Sequence, residues 1–553
     1  MDPRRLAPWF TLAAVLAAPV SFSSERAPSM PSDAKTDQFS VIATTAGQVV
    51  GRFDGALHAF KGIPYAAPPV GAARWKPPAP VKPWEGVRQA TQFGPSCIQP
   101  VTPTPNVYTS DITPTSEDCL NLNVWAPAGA KGAPVFVWIH GGALVKGSSS
   151  EPMYDGARMA REGIVVVSIN YRLGVLGYMA HPGLSTESPD GVSGNYGLLD
   201  QIAALRWVKD NIGNFGGDPA NVTIAGESAG ALSVMYLMAS PPARGLFAKA
   251  IAESAYKIST PALKEKVHGQ MSSQEMGARL GGALKATSIA DMRRADAQEL
   301  TEAAAKLGFA PFATIDGKTL TRQLVETFES GEQAPVPLLA GFNSGEIRSL
   351  AFLAPPPPDS ADKYEASIRD NYGDLADEFL RLYPSSNMQE SVYATTRDGL
   401  YGWTAEQLIR KQVAIGQPAY LYYFDHGTPA SDAAGLHAFH ASELPYVFGN
   451  LDRTPKLWPA IPETAAENAM ADAMLGYWSS FARSGTPQAE GAPAWPSYGT
   501  TAAYMDFGDA PQAATNLLPG MYELHEEAVR RRRASGDQPW NWNVGLVSPK
   551  LVK

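Results

Sequence analysis

Apolar residues along this chain fall into two rhythms: short unbroken runs, and longer segments that repeat at helical spacing. Residues 135–139, 164–169 and 222–225 form unbroken runs, as parallel strands buried on both faces require. Between the last two, Leu198, Ile202, Leu205 and Val208 or Ile212 recur with a helical period over residues 197–215. Residues 336–342 and 420–424 read as later strands. Near the start, residues 39–44, 48–53 and 57–62 alternate between glycine-containing and polar turns, which predicts an antiparallel meander at a sheet edge. Residues 120–125 alternate as a half-buried strand, while residues 64–83 are proline-rich and interleaved with Tyr65, Trp75 and Trp84. Those aromatic rings predict an ordered loop packed on the body.

Residues 272–307 and 362–417 turn helical. Ser272 with Glu275, and Asp296 with Glu299, have the spacing of capping boxes. The order of elements predicts an α/β class with a large, mostly parallel central sheet. Two helical insertions, at about 260–330 and 350–417, would lie over its carboxyl edge as a lid. One domain over residues 39–510 can hold all of this, with a helix and tail over 511–553.

Composition narrows the class. The 553 residues are 44% hydrophobic and 18% charged, which describes a globular chain with a substantial core. A formal charge of −9 offers no general attraction to nucleic acid or anionic lipid. The basic run Arg530 to Arg533 follows Glu526 and Glu527 at helical spacing, so it reads as a solvated helix end. Residues 1–27 have a positive start, an apolar middle and small residues near their end. That is the pattern of a secretory signal peptide, predicting export to the periplasm or medium with no membrane span after cleavage. An uncleaved membrane anchor is the alternative. Cys97 and Cys119 are the two cysteines; in an exported protein they can pair, and otherwise they remain thiols.

The chemistry concentrates at Gly226-Glu227-Ser228-Ala229-Gly230, between the apolar run 222–225 and the apolar segment 231–238. Strand, tight turn and helix are what a nucleophile elbow needs, with Ser228 at the apex. A serine hydroxyl needs a base and a group to orient that base. His440 stands in a loop after a late strand, and His426 lies at the end of the strand itself. His268 sits inside a helical insertion and His525 on a charged helix. His437 and His440, three residues apart, have metal-ligand spacing, but no further Cys/His cluster is near, so no metal is expected. For the acid, Glu346 follows the run 336–342, and Asp316 in Ile315-Asp316-Gly317 competes with it. Trp138-Ile139-His140-Gly141-Gly142-Ala143 ends another apolar run. Its small residues point to Gly142 and Ala143, with Ala229, as N–H donors to an oxyanion.

Several motifs together resemble the type-B carboxylesterase family, which includes cholinesterases and bacterial para-nitrobenzyl esterases. They are Phe60-Lys61-Gly62-Ile63-Pro64-Tyr65-Ala66, Ser116-Glu117-Asp118-Cys119-Leu120-Asn121-Leu122-Asn123-Val124 and Gly216-Gly217-Asp218-Pro219, followed by the Ser228 motif. The resemblance runs from about Phe39 to Phe507. It implies an α/β-hydrolase fold, a triad of Ser228, Glu346 and His440, and an oxyanion hole from Gly142, Ala143 and Ala229. It also implies a Cys97–Cys119 disulfide, with Glu227 and Ser254 as supporting neighbours. Ala143 stands where many members have a third glycine, and Ala255 follows Ser254 where glycine is usual. No tryptophan lies between Cys97 and Cys119, whereas cholinesterases place one there for a quaternary ammonium. Choline esters are therefore not the expected substrate.

The expected activity is hydrolysis of small-molecule carboxylic esters through an acyl-enzyme, without a cofactor. A specialist detoxifying esterase is the narrower alternative, acting on a polycarboxylate toxin ester, an aromatic diester or a carbamate. A non-catalytic binding module of the same fold is the alternative from another class. Substrate and oligomeric state are not legible in the sequence.

Overall fold

The computed structural model describes residues 38–102, 104–540 and 545–551. The predicted signal segment lies outside them. Three antiparallel strands open the described chain: β1 (Gln38–Thr44), β2 (Gly47–Phe53) and β3 (Leu57–Pro64). A short β4 (Val87–Gln89) pairs with β2. Strands β5 (Ser96–Cys97) and β6 (Thr115–Ser116) pair with each other apart from the main sheet.

Then come β7 (Asn121–Pro127), β8 (Ala133–Ile139), β9 (Val165–Ile169), β10 (Gly217–Glu227) and β11 (Lys249–Glu253). The last are β12 (Leu338–Asn343), β13 (Ala419–Phe424), β14 (Ala503–Phe507) and β15 (Pro511–Thr515). Apart from β4, the main sheet runs β1-β2-β3-β7-β9-β8-β10-β11-β12-β13-β14-β15. From β9 to β14 every neighbouring pair is parallel. The centre is apolar on both faces: Val135 to Ile139, Ile224, Ala225, Leu338 and Leu339 are fully buried. The β14–β15 hairpin carries the sheet past residue 510.

Helix Tyr196–Asn211 and a following 3-10 turn cover one face. The first insertion holds four separate helices, Ser273–Ala283, Ile289–Arg294, Ala297–Lys306 and Leu324–Glu329. Ser272 and Asp296 cap the first and third by accepting backbone N–H groups. The second insertion runs through Ala361–Tyr372, Ala376–Leu382 and Met388–Arg397 to Trp403–Ala414.

The proline-rich loop is pinned as its aromatics predicted. Trp75 Nε1 donates to the Val175 carbonyl at 2.9 Å, and Tyr65 to that of Asn170 at 2.7 Å. The arginine run differs from expectation on one point. Arg530, Arg531 and Arg533 meet Glu527, Asp374 and Glu329, but Arg532 is buried. Helix Met521–Ser535 therefore packs on the body through one of its arginines. No described helix is long and apolar enough to cross a membrane.

Cys97 and Cys119 form a disulfide that closes a loop of sequence separation 22. By loop-closure entropy such a bond stabilises a fold by about 3 kcal/mol. The Cys97→Ser/Cys119→Ser variant should lower the denaturant midpoint accordingly in equilibrium unfolding. An unchanged midpoint would mean the loop is held by its packing alone.

Candidate active site

Strand β10 runs into Ser228, whose backbone sits at φ 55°, ψ −119°, and helix Ala229–Ala239 begins at the next residue. Positive φ is unfavourable for a residue with a side chain and persists only where the surroundings enforce it. Here the enforcement is close packing. A Cβ on Gly230 would lie 2.0 Å from the Ile139 carbonyl oxygen, so only glycine lets this helix lie against the end of β8. The turn presents Ser228 at the edge of a cavity of about 900 Å³.

Across that cavity stands His440. Its Nδ1 is hydrogen-bonded to Oε2 of Glu346, which is fully buried. The other oxygen of Glu346 accepts from Ser254 Oγ at 2.6 Å and from the Asn343 N–H at 2.9 Å. Glu346 follows β12, Ser254 follows β11, and Gly345 bridges to Phe439 beside His440. Adjacent parallel strands thus deliver the parts at their carboxyl ends, as open α/β sheets commonly do.

The competing residues have other partners. Asp316 Oδ1 accepts the N–H groups of Lys318, Thr319 and Leu320, and Oδ2 meets Asn195, so it caps a turn. His426 lies between the Gly508 carbonyl and Glu467, and His437 between Asp425 and Asp432. Buried His525 meets the Tyr383 hydroxyl. His437 and His440 thus face different carboxylates and do not converge on a shared point.

Glu227, expected as a supporting neighbour of Ser228, lies directly against His440. Its Oε1 lies 3.0 Å from His440 Nε2. Among the described residues no hydrogen bond joins Ser228 Oγ to His440, so the imidazole faces the neighbouring glutamate instead. Such contacts are commonly long in empty sites and tighten when substrate binds. Burial alone would lower the His440 pKa, but the negative charges of Glu227 and then Glu346 outweigh it and raise it. Burial lifts the Glu227 carboxyl above its ordinary range, and the charges of Glu346 and Glu151 add to that against the pull of His440. Behind it, burial also raises Glu253 to about 8, and it raises Glu443 as well. Trp478 and Asn343 each donate to one of these two, both at 2.5 Å.

The loop after β8 supplies donors. Gly142 has φ 99° and Ala143 φ 57°. A Cβ on Gly142 would lie 2.1 Å from the Lys146 carbonyl, so glycine is required there. Among the described residues the N–H groups of Gly142, Ala143 and Ala229 donate to no backbone acceptor. His140 is buried and stacked on Tyr171 at 4.6 Å. Burial lowers its pKa to about 4, so it is a neutral structural element.

Both insertions contribute to the cavity wall: Phe309 and Phe312 from the first, Leu353, Leu400 and Tyr401 from the second segment. Phe352 stands 81% exposed among the cavity-lining residues. Trp403 instead packs in the body, 6.1 Å from Trp540. Tyr108, Lys146 and Glu151, all from loops, line the cavity with no motif to reveal them. Burial raises the Glu151 pKa to about 7.

Electrostatic control of His440 by Glu227 is open to direct measurement. Removing that negative charge with Glu227→Gln disfavours the protonated imidazole, so the proton leaves at lower pH. A histidine-selective NMR titration should show the His440 midpoint falling. An unmoved midpoint would mean that the two side chains are not neighbours in solution.

A profile of the carboxylesterase family matches residues 38–524. The fumonisin B1 esterase of Sphingopyxis macrogoltabida is 37% identical over 499 residues, covering 87% of this chain and 89% of that protein. The para-nitrobenzyl esterase of Bacillus subtilis (strain 168) is 38% identical over 472 residues, covering 83% and 92%. A solved para-nitrobenzyl esterase structure superposes with a TM-score of 0.75 at 34% identity, covering 88% of this chain and 99% of that one. With a family profile spanning most of its length and the same fold, this chain belongs to the carboxylesterase family, a carboxylic-ester hydrolase of α/β-hydrolase architecture.

Proposed function

We propose that the chain hydrolyses neutral carboxylic esters through an acyl-enzyme, with Ser228 as nucleophile, His440 as base and Glu346 as the group that orients it. The observation that carries this reading is the shared cavity. Ser228 stands in a strained strand-to-helix turn, opposite an imidazole whose far nitrogen is held by a buried carboxylate. Ser228 Oγ attacks the ester carbonyl as His440 Nε2 takes its proton. The oxyanion is received by the N–H groups of Gly142, Ala143 and Ala229. The proton then passes to the leaving alcohol, and water activated by His440 releases the acid. Glu227 and Glu346 stabilise the imidazolium formed on the way. Ser254 keeps the Glu346 carboxylate oriented.

The walls suggest the substrate class. Phe309, Phe312, Tyr401 and Trp458 suit bulky aromatic or aliphatic groups. Among the described lining residues Lys146 is the one lysine or arginine, against the carboxyl groups of Glu151 and Glu227. That balance disfavours a polycarboxylate such as a tricarboxylic toxin ester. Export to the periplasm or medium belongs to the same proposal, supported by the N-terminal charge and apolar pattern and by the disulfide.

Turnover of a para-nitrophenyl ester should fall by about 10⁴-fold or more in Ser228→Ala, with the fold retained by circular dichroism. Equal turnover in both proteins would remove the mechanism. In the unsubstituted enzyme, neutral aryl and alkyl esters should exceed citrate-type esters in kcat/KM. The reverse order would assign the cavity to anionic substrates. Expressed in full, the protein should appear outside the cytoplasm with a shortened N-terminus, and retention of the full-length chain inside would refute export.

A further inference from the structure

His440 occupies the second position of a tight turn. The Ser442 N–H donates to the Phe439 carbonyl at 2.9 Å, and Ala441 has φ 68°. A closed turn with positive φ at its third residue is type II, a position that ordinarily takes glycine. Type I, its close relative, differs by a flip of the peptide between His440 and Ala441 and would return alanine to negative φ. Something must therefore hold this peptide in its flipped orientation.

The rest of the turn is well anchored. The Phe439 carbonyl also accepts from Asn343 Nδ2 at 2.9 Å, and the Gly345 N–H donates to the Ala438 carbonyl at 2.9 Å. The His440 carbonyl, which marks the flipped peptide, is reached by no backbone N–H among the described residues. Its donor is a side chain distant in sequence: the Tyr108 hydroxyl, at 3.0 Å. That oxygen also lies 2.5 Å from Ser349 Oγ, three residues beyond Glu346. A phenol has one proton. With it given to the carbonyl, Ser349 must donate to Tyr108. The ring is fixed edge-on to Trp458 at 6.1 Å and to the His440 imidazole at 6.4 Å. Tyr108 belongs to the loop that the Cys97–Cys119 disulfide closes.

We propose that Tyr108 is a positioning residue, whose hydroxyl holds the turn beneath His440 in its type II form and so keeps Nδ1 on Glu346. This rests on the assignment of Ser228, His440 and Glu346 made above. One phenol thereby joins the disulfide loop, the segment after Glu346 and the backbone of the base. A flip would exchange a carbonyl for an N–H at the foot of the imidazole and release that alignment.

The test is a cycle of Tyr108→Phe, Ala441→Gly and the double variant, with Ser228→Ala as control, assayed on a para-nitrophenyl ester. Tyr108→Phe keeps the ring and removes the hydrogen bonds. It should lower kcat about tenfold, with KM changed less than about twofold and the thermal midpoint little moved. Glycine adopts positive φ without steric penalty, so Ala441→Gly makes the type II turn less dependent on Tyr108. It should recover at least about threefold of kcat in the Tyr108→Phe background, more than it adds to the unsubstituted chain. A kcat unchanged in Tyr108→Phe, a loss confined to KM, or no recovery with Ala441→Gly would each overturn the assignment. Wild-type turnover in Ser228→Ala would instead refute the catalytic reading beneath it, whatever Tyr108→Phe does.

Discussion

An imidazole held between two carboxylates inside the protein is the constraint on which the site depends. Removing such charges from water costs several kcal/mol per ion unless hydrogen bonds and opposite charge replace the lost hydration. Glu346 has that compensation: the imidazole on one oxygen, Ser254 and the Asn343 N–H on the other. Ser254 sits just beyond β11, Asn343 ends β12 and His440 stands in a loop after β13, so the compensation exists only while these elements keep their spacing. The parallel ladder from Leu338 to Asn343 against β13 and the bridge from Gly345 to Phe439 maintain it. Sheet register here is a condition for burying the charge, and the chemistry inherits its geometry from that register.

The carboxyl groups behind His440 extend the same logic. Burial, and then the charges of neighbouring glutamates, raises the carboxyls of Glu227, Glu253 and Glu443. Not all can ionise together in so dry a place, and burial leaves some of them protonated near neutral pH. The charge that remains raises the pKa of His440. In the proposed mechanism this favours the imidazolium that forms as Ser228 attacks, but it also raises the pH at which the resting imidazole is free to accept a proton. The site therefore trades some fraction of active base for stabilisation of the charged form.

What the sequence could reveal follows from how local each feature is. Strands buried on both faces must be unbroken and apolar, and the elbow fixes two glycines around one serine; both are written in consecutive residues. The α/β architecture was legible for that reason. Glu346 and His440 were ambiguous by pattern, because Asp316 also ends a loop and His426 and His437 also stand beside carboxylates. The folded sheet separates the histidine that lines one cavity with Ser228 from those that tie loops down. The family motifs supplied that choice where spacing did not. Tyr108 and Glu151 were silent since loop residues have no period, and Tyr108 reaches its partner across 332 positions of sequence.

Activation and selectivity draw on the same charges. Glu227 raises the affinity of His440 for a proton, and it does so from a position on the cavity wall, with Glu151 nearby. A substrate bearing carboxylates would have to shed its hydration against aromatic walls and then approach two acids with Lys146 alone to offset them. In the proposed reading a neutral ester meets neither penalty, and its aryl or alkyl groups gain from contact with Phe309, Phe312 and Trp458. Reversing the proposed preference would take more than adding cations at the mouth. It would require weakening Glu227, and with it the support for the base, so a change of substrate charge in this cavity is coupled to a change in how the imidazole holds its proton.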